Sequence, residues 1–199
     1  ACVVHGIEES GIKLGDTVVV NGVGPIGLMY VQLAKLKGAR VIATDINGER
    51  LKIAQKLGAD ELVNASQVSD QVETVRGLTE GKRGVDVAIE AVGLPDIWEK
   101  TIKMVRKGGM ANLFGGCASG TKITIDTKLL HYLEITIKGV FHHTPQYVKR
   151  ALNLISQGSI DANSLITDEF PLNNFPHVLD MMINHQGIKI AVIPLSLIH

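Results

Sequence analysis

The sequence predicts an α/β protein: a doubly wound, parallel, six-stranded sheet of the Rossmann type, followed by a C-terminal tail of different pattern. Two observations lead to this prediction. Short apolar runs rich in β-branched residues alternate with longer stretches that carry apolar residues every three to four positions. A glycine-rich segment also separates the first short run from the first long stretch. Because parallel strands are buried on both faces and need helical crossovers, this alternation indicates a sheet with helices on either side.

The alternation places six strands and five helices in the first 158 residues. The strands are predicted at 17–21, 40–44, 61–63, 85–90, 110–114 and 135–140, where most residues are apolar. The helices are predicted at 26–37, 49–57, 68–78, 95–105 and 145–156. Pro95 and Pro145 stand where a first helical turn tolerates a missing N–H. Residues 1–6 are typical of a helix interior without a cap, so we expect the chain to begin within a longer protein.

The C-terminal tail does not continue this pattern. Residues 159–164 are polar and turn-like, and they precede two predicted strands, at 165–172 and 188–194, on either side of a helix at 174–184. We therefore predict a Rossmann domain at 1–158 and a separate C-terminal segment at 159–199.

The composition excludes several classes of partner. The 20 Lys and Arg residues balance 20 Asp and Glu residues, so the chain lacks the basic surface that nucleic acid requires. No apolar run approaches the roughly 18 to 20 residues needed to cross a bilayer. The two cysteines, Cys2 and Cys117, are too few for a disulfide framework, which fits a reducing compartment. We expect a soluble, cytoplasmic protein that binds neither nucleic acid nor membrane.

The glycine-rich segment predicts a phosphate-binding loop. Gly22, Gly24 and Gly27 form a G-x-G-x-x-G motif between the first predicted strand and the first predicted helix. Gly22 allows a tight turn, Gly24 lets backbone approach a pyrophosphate, and Gly27 lets helix and strand pack closely. Pro25 and Ile26 belong to the helical turn whose free N–H groups favour an anion. The motif alone is weak, because a strand-to-helix turn without a ligand uses glycines too.

The acid Asp45 raises the specificity of this motif. It follows the second predicted strand, where a carboxylate can accept hydrogen bonds from the adenosine ribose hydroxyls, with Ile46 beside it. Its charge repels a ribose 2′-phosphate and favours NAD over NADP, whereas Arg50, one helical turn later, leaves NADP open. The alternative role for Asp45 is to cap the next helix.

Four segments, in this order and spacing, resemble the C-terminal half of the zinc-type medium-chain dehydrogenases, among them alcohol, sorbitol and threonine dehydrogenases. The segments are GDTVVVNGVGPIG at 15–27, TDIN at 44–47, LGAD at 57–60 and GVDVAIEAVG at 84–93. The resemblance covers essentially the whole chain. It implies an enzyme that transfers hydride between a secondary alcohol or polyol and NAD, with a zinc ion that polarises the alcohol oxygen.

The resemblance also implies cofactor contacts after the later strands. Segments after the fourth, fifth and sixth strands would approach the adenosine ribose, the nicotinamide ribose and the carboxamide, and a basic residue near the C-terminus would reach the pyrophosphate. These residues are Ala91, Val92 and Gly93; Phe114, Gly115 and Gly116; Val140, Phe141 and His142; and Lys189.

The resemblance assigns the zinc ligands and the chemistry to a domain upstream of this chain. Cys2 with His5, and the adjacent His142 and His143, supply too few ligands at suitable spacing, so neither a metal site nor a catalytic residue is predicted here. The tail strands would complete the absent domain, and without it they would be exposed or misplaced. The strand at 135–140 resembles the edge through which family dimers join, which implies a homo-oligomer.

Two other hypotheses stay open. A zinc-free quinone or enoyl reductase has a similar sheet, but such enzymes usually prefer NADPH and lack an acid where Asp45 stands. A regulatory module that senses NAD(H) without chemistry would have no use for the two tail strands. The sequence does not specify which alcohol is the substrate, and both a dimer and a tetramer fit it. Trp98 is interpreted as a core or helix-face residue.

Overall fold

The computed structural model describes residues 1–184 and 186–194, which form parts of two compact units, Ala1–Ile160 and Asp161–His199. The first unit contains a six-stranded sheet in which every neighbouring pair of strands is parallel. Its strands are β1 (Thr17–Asn21), β2 (Arg40–Asp45), β3 (Glu61–Asn64), β4 (Val85–Glu90), β5 (Val105–Leu113) and β6 (Thr136–Gly139). The predicted fold class is confirmed.

Helices precede, connect and follow these strands. They are α1 (Cys2–Glu9), α2 (Pro25–Leu36), α3 (Gly48–Lys56), α4 (Gln71–Gly77), α5 (Pro95–Met104), α6 (Thr127–His131) and α7 (Pro145–Ser156), with a 3-10 turn at Glu80–Lys82. Pro95 and Pro145 each occupy the first turn of a helix, as predicted. The short α6 has no counterpart among the predicted helices. It begins where the Asp126 carboxylate accepts a hydrogen bond from the Lys128 N–H, and five residues are too few to show a helical period.

The strand order is β3-β2-β1-β4-β5-β6. The chain therefore moves outward from β1 to β3 and then returns to place β4 on the opposite side of β1. Val18 pairs with Val41 of β2 on one side and with Val87 of β4 on the other. This reversal opens a crevice at the carboxyl ends of β1 and β4, which is where open α/β sheets bind their ligands.

One face of the sheet carries a well-defined apolar cluster of the core. Its side chains pack with apolar residues of α4 and α5, so that burial holds these two helices over the sheet. The cluster includes Val19, Ile42, Ala88 and Ala111 from the strands, with Val75, Ile102 and Met104 from the helical side.

Among the element boundaries that differ from the predicted ones, two have a clear physical cause. The helix α5 ends at Met104 and the chain enters β5 at once, because Val105 already pairs with Val85 before the register shifts. The helix α4 begins at Gln71 and not at Val68, because the Asp70 carboxylate caps it by accepting a hydrogen bond from the Glu73 N–H. Capping and pairing thus override the apolar periodicity at these two boundaries.

The second unit contains the tail. It has β7 (Ile166–Pro171), α8 (Phe175–Ile183) and β8 (Lys189–Ile193), with 3-10 turns at Asn163–Leu165 and Leu172–Asn174. The two strands pair with each other in parallel, a pairing that the sequence analysis did not predict, and their place in a catalytic domain stays a prediction. Several of their side chains stay exposed, among them Ile166 and Glu169. Within the described part of the chain, no helix has both the length and the apolar character needed to span a bilayer.

Candidate cofactor-binding site

The predicted contact residues of the first unit gather at one edge of the sheet. Because β2, β1, β4, β5 and β6 are parallel and adjacent, the loops at their carboxyl ends lie side by side. The ends of these strands, the loops after them and the first turns of α2 and α3 hold Gly22, Gly24, Pro25, Ile26 and Gly27; Asp45, Ile46 and Arg50; Ala91, Val92 and Gly93; Phe114, Gly115 and Gly116; and Val140, Phe141 and His142. Lys189 starts β8 in the second unit, and its contact with the pyrophosphate stays a prediction.

Two of the three motif glycines are required by the protein itself. Gly22 has a φ of 94°, a backbone conformation in which a residue with a side chain is strained. Its N–H donates to the Thr44 carbonyl at 2.8 Å. A Cβ on Gly27 would lie 1.9 Å from the Gly22 carbonyl oxygen. The tight turn and the close helix-to-strand packing predicted for these two positions therefore follow from backbone geometry.

Gly24 is different, because nothing in the protein demands it. Its φ is −68°, and a Cβ built there meets no atom within 4 Å. Gly24 is also the N-cap of α2 without a side-chain cap, so the first-turn N–H groups of that helix are left for another acceptor. Open space at the end of a helix dipole suits a pyrophosphate, and the loop fits that group.

The Asp45 carboxylate is attached to this loop. Its Oδ2 accepts a hydrogen bond from the Val23 N–H at 2.8 Å, and its Oδ1 accepts one from the Asn47 N–H at 2.9 Å. The cap of α3 is Asn47, whose side chain accepts from the N–H groups of Glu49 and Arg50, so the alternative that Asp45 caps this helix is wrong. A carboxylate has about four acceptor sites, which leaves two for a ribose diol.

A buried carboxylate that sequence analysis missed organises the next two loops. The side chain of Glu90, at the end of β4, is fully buried, and its Oε1 accepts from the N–H groups of Val92 and Gly93 at 2.8 and 2.9 Å. Its backbone carbonyl accepts from the N–H groups of Phe114 and Gly115. Burial raises the pKa of Glu90, although the hydrogen bonds from Gly93 and Val92 oppose that shift. The signal in the sequence that could have revealed this role is that Glu90 is a charged residue at the end of a mostly apolar strand.

The indole of Trp98 also belongs to this part of the site. Its Nε1–H donates to the Gly115 carbonyl at 2.8 Å, so it holds the segment after β5 as well as packing against the core. The interpretation of Trp98 as a packing residue alone was incomplete, since spacing on a helix does not reveal which backbone group a side chain reaches.

A buried polar network lies beneath the glycine loop. The Gln71 Nε2 donates to Asn21 Oδ1 and to Thr44 Oγ1, both at 2.8 Å, and the Asn21 Nδ2 donates to Thr101 Oγ1. Asn21 and Thr44 directly precede Gly22 and Asp45. The network therefore fixes the ends of β1 and β2, from which the two main predicted contacts emerge.

The segment after β6 carries the two adjacent histidines. Phe141 is 82% exposed, and His142 adopts a φ of 59° while its carbonyl accepts a hydrogen bond from His5 Nδ1 at 2.8 Å. The Cys2 Sγ lies 3.0 Å from His143 Nδ1. The structure thus brings Cys2 and His5 into contact with the two histidines, from which they are more than 130 residues away in the sequence.

These residues do not fit a zinc centre. Within 1–184 and 186–194, no group of three or more His, Cys, Asp or Glu side chains is arranged to hold a metal ion. A zinc site needs at least three such ligands from the protein. No chemical step through zinc is therefore assigned to this chain.

Comparison with known proteins agrees with this architecture. A family profile described as zinc-binding dehydrogenase matches residues 25–157. Sorbitol dehydrogenase from Bacillus subtilis is 30% identical over 96% of this chain and 54% of its own length. Erythritol/L-threitol dehydrogenase from Mycolicibacterium smegmatis is 33% identical over 98% of this chain and 53% of its own length. The chain thus spans about half the length of these curated relatives.

Solved structures share the fold. An alcohol dehydrogenase from Thermotoga maritima has a TM-score of 0.90 at 27% identity, covering 97% of this chain and 54% of its own. A protein assigned as a zinc-binding dehydrogenase from Sinorhizobium meliloti, bound to NADP, has a TM-score of 0.89 at 32% identity, covering 97% of this chain and 56% of its own.

The six-stranded parallel sheet with its glycine loop at the switch point defines a Rossmann-type α/β domain. With the family profile matched over 25–157, the chain belongs to the zinc-binding dehydrogenase family. The predicted family is confirmed.

Proposed function

We propose that residues 1–158 bind NAD(H) for an alcohol or polyol dehydrogenase, and that residues 159–199 complete a catalytic domain that carries the zinc. The observation that carries this proposal is the pairing of an open Gly24 with the adjacent Asp45 carboxylate. The first offers helix N–H groups to a pyrophosphate, and the second offers acceptor sites to a ribose diol. The curated relatives that support it include sorbitol and erythritol/L-threitol dehydrogenases.

In this proposal the chain positions the cofactor and leaves the chemistry to groups outside it. The bound dinucleotide supplies hydride transfer. Asp45 holds the adenosine ribose, while Gly115 and Gly116, supported by Glu90 and Trp98, hold the nicotinamide ribose. Fixing the nicotinamide ring in this way lowers the entropic cost of reaching an alcohol.

The single tryptophan provides a direct test. NADH absorbs light in the range where tryptophan emits, and the Trp98 indole contacts the segment proposed for the nicotinamide ribose. We expect NADH to quench the fluorescence of the 199-residue chain at saturation, with NADPH binding more weakly in titration calorimetry. A tenfold preference for NADPH would contradict the NAD assignment and favour the quinone reductase hypothesis. It would also agree with the NADP-bound relative.

The catalytic part of the proposal needs a separate test. We expect the 199-residue chain to turn over no alcohol and to hold no stoichiometric zinc by metal analysis. One tightly bound zinc per chain would contradict this. The coding sequence upstream of the first residue should encode Cys, His and Glu zinc ligands. A start codon placed directly there would favour the sensor hypothesis.

We also propose a homo-oligomer and a cytoplasmic location. β6 lies at the edge of the sheet, where a second copy can pair with it. Cys2 and Cys117 are both free, which suits a reducing compartment. Light scattering of the chain and of a Thr136→Pro variant tests the first point, because proline has no N–H to donate to an added strand. An unchanged dimer in the variant would contradict pairing through this edge.

A further inference from the structure

The segment after β6 contains a residue whose backbone conformation must be maintained by its neighbours. His142 has a φ of 59°, in the left-handed region that residues with a side chain seldom occupy. Such a conformation persists only where surrounding contacts hold it, and it is often found at ligand sites. The carbonyl of His142 accepts a hydrogen bond at 2.8 Å from Nδ1 of His5, which lies in α1. The conformation of this segment therefore depends on α1.

The His5 ring is itself held by contacts with two other elements. Its imidazole stacks on the Tyr147 ring of α7, with 4.6 Å between the ring centroids and 28° between the ring planes. Its Nε2 lies 4.0 Å from the Glu9 carboxylate, and Glu9 forms an ion pair with Lys138 of β6. A ring packed on one face and approached by a carboxylate at Nε2 presents its Nδ1–H in a fixed direction. His5 is therefore a rigid donor to the segment after β6.

The backbone beside this hydrogen bond offers donors to a ligand. Among the residues that the structure describes, none accepts a hydrogen bond from the N–H of Phe141 or of His142, and both residues are exposed. These donors lie at the same edge of the sheet as Gly115, because β5 and β6 are adjacent and parallel. Unused backbone N–H groups suit a carbonyl oxygen, such as that of a primary carboxamide. A nicotinamide ring whose ribose is held after β5 carries such a group.

We propose that His5 is a positioning residue, whose hydrogen bond to the His142 carbonyl holds residues 140–142 in the conformation that binds the nicotinamide carboxamide. This role rests on the proposed dinucleotide function. His5 acts through the His142 carbonyl and not by contact with the cofactor. Without the Nδ1–H the carbonyl loses its donor, and the left-handed conformation at His142 becomes a minor one. Affinity for the carboxamide then falls in proportion to the fraction of chains that keep the binding conformation.

The test compares NADH with ADP-ribose, which lacks the nicotinamide ring, by titration calorimetry on the 199-residue chain. We expect the unmodified chain to bind NADH more tightly than ADP-ribose. His5→Phe keeps a ring against Tyr147 and removes the donor, so NADH affinity should fall about tenfold while ADP-ribose affinity stays within about twofold. His5→Asn loses the ring and keeps an N–H near the place of Nδ1, so its NADH affinity should stay within about threefold of the unmodified chain.

Glu8→Gln is the matched control on the same helix. It breaks the ion pair between Glu8 and Arg150 of α7 and leaves the His5 hydrogen bond in place, so the ratio of the two affinities should change by less than about twofold.

Three results would overturn the role of His5 and leave the proposed function standing. The first is equal binding of NADH and ADP-ribose to the unmodified chain. The second is an unchanged NADH affinity in His5→Phe. The third is an equal loss of both ligands in that variant, which would show a purely structural contact. Failure of both ligands to bind the unmodified chain would instead overturn the proposed function, and the role of His5 with it.

Discussion

The carboxylate of Asp45 and the backbone N–H of Val23 lie 2.8 Å apart in a hydrogen bond that joins the end of β2 to the glycine loop after β1. The residue proposed to hold the ribose therefore also holds the loop proposed to bind the pyrophosphate. The ribose-binding and pyrophosphate-binding parts of the proposed site are therefore connected by a hydrogen bond, and a substitution in one should alter the geometry of the other.

Asp45→Asn tests this connection. An Asn side chain places an NH₂ group against either Val23 N–H or Asn47 N–H, where the carboxylate accepts from both. We expect a loss of about 1 kcal/mol in the free energy of unfolding and a drop of about tenfold in NADH affinity. NADPH affinity should fall less, because the charge that repels its 2′-phosphate is gone. Glu49→Gln removes the same charge from an exposed site in α3 and should change neither property. Equal losses in both variants would argue against a specific role for Asp45.

The glycine loop offers a pair of variants with opposite expectations. Gly24→Ala adds a methyl group where no protein atom lies within 4 Å, so the free energy of unfolding should change by less than about 0.5 kcal/mol. NADH affinity should nevertheless fall more than about tenfold, because the methyl group enters the space proposed for the pyrophosphate.

Gly27→Ala, by contrast, should lower the stability of the folded chain. Its Cβ would lie 1.9 Å from the Gly22 carbonyl oxygen, so the loop must move and the chain should be destabilised by about 2 kcal/mol or more. Urea unfolding with parallel NADH titration measures both variants. A stable Gly24→Ala chain with undiminished NADH binding would place the pyrophosphate elsewhere.

Glu90 predicts a pH-dependent effect on stability. Because burial raises the pKa of this carboxyl in the folded chain, ionisation opposes folding: the cost is absent at low pH and grows as the pH rises from the ordinary Glu range. Glu90→Gln keeps an acceptor for Val92 N–H and Gly93 N–H and cannot ionise. We therefore expect its stability relative to the unmodified chain to improve from about pH 4.5 to pH 8.

Glu90→Leu removes the acceptor altogether and should cost about 2 kcal/mol at pH 7, because two N–H groups lose their partner. Urea unfolding across this pH range checks both variants. A pH-independent difference between Glu90→Gln and the unmodified chain would contradict the raised pKa.

Asp86 predicts the opposite pH dependence at the other end of β4. Burial raises its pKa, but hydrogen bonds from Thr17 N–H and Arg106, with the charges of Arg83 and Arg106, outweigh burial and hold the pKa below the ordinary value of 3.8. The stability that Asp86 contributes is therefore complete above the ordinary Asp range and is lost as the pH falls through the lowered pKa.

Asp86→Asn should cost about 2 kcal/mol at pH 7, and this cost should shrink below about pH 4. Asp96→Asn, at an exposed position paired with Lys100 at 3.7 Å, is the control and should cost less than about 0.5 kcal/mol throughout. A cost for Asp86→Asn that grows on acidification would show that the folded-state pKa is not lowered.

The parts of the fold that depend on neighbouring residues were predictable. The order of strands and helices, the glycine loop and the position of Asp45 all follow from local spacing, because apolar period and turn chemistry act within a few residues. Asp45 as a ribose contact stays a prediction, but its place at the end of β2 beside the loop agrees with the expected arrangement.

The parts that depend on distant residues were not predictable. The partners of Gln71 lie 50 and 27 residues away in the chain, and those of Glu90 include the segment after β5. The parallel pairing of β7 with β8 was likewise not predicted. Each depends on which strand ends meet at the edge of the sheet.

The amino-acid sequence by itself determined the alternating α/β pattern, the family and the residue types placed at the strand ends. Only the tertiary structure decided which buried acceptors and donors support those ends, and that Asn47 and not Asp45 caps α3. The physical reason is range: periodicity and capping act over a turn or two, whereas hydrogen bonds between loops exist only after parallel pairing has brought separate strand ends side by side.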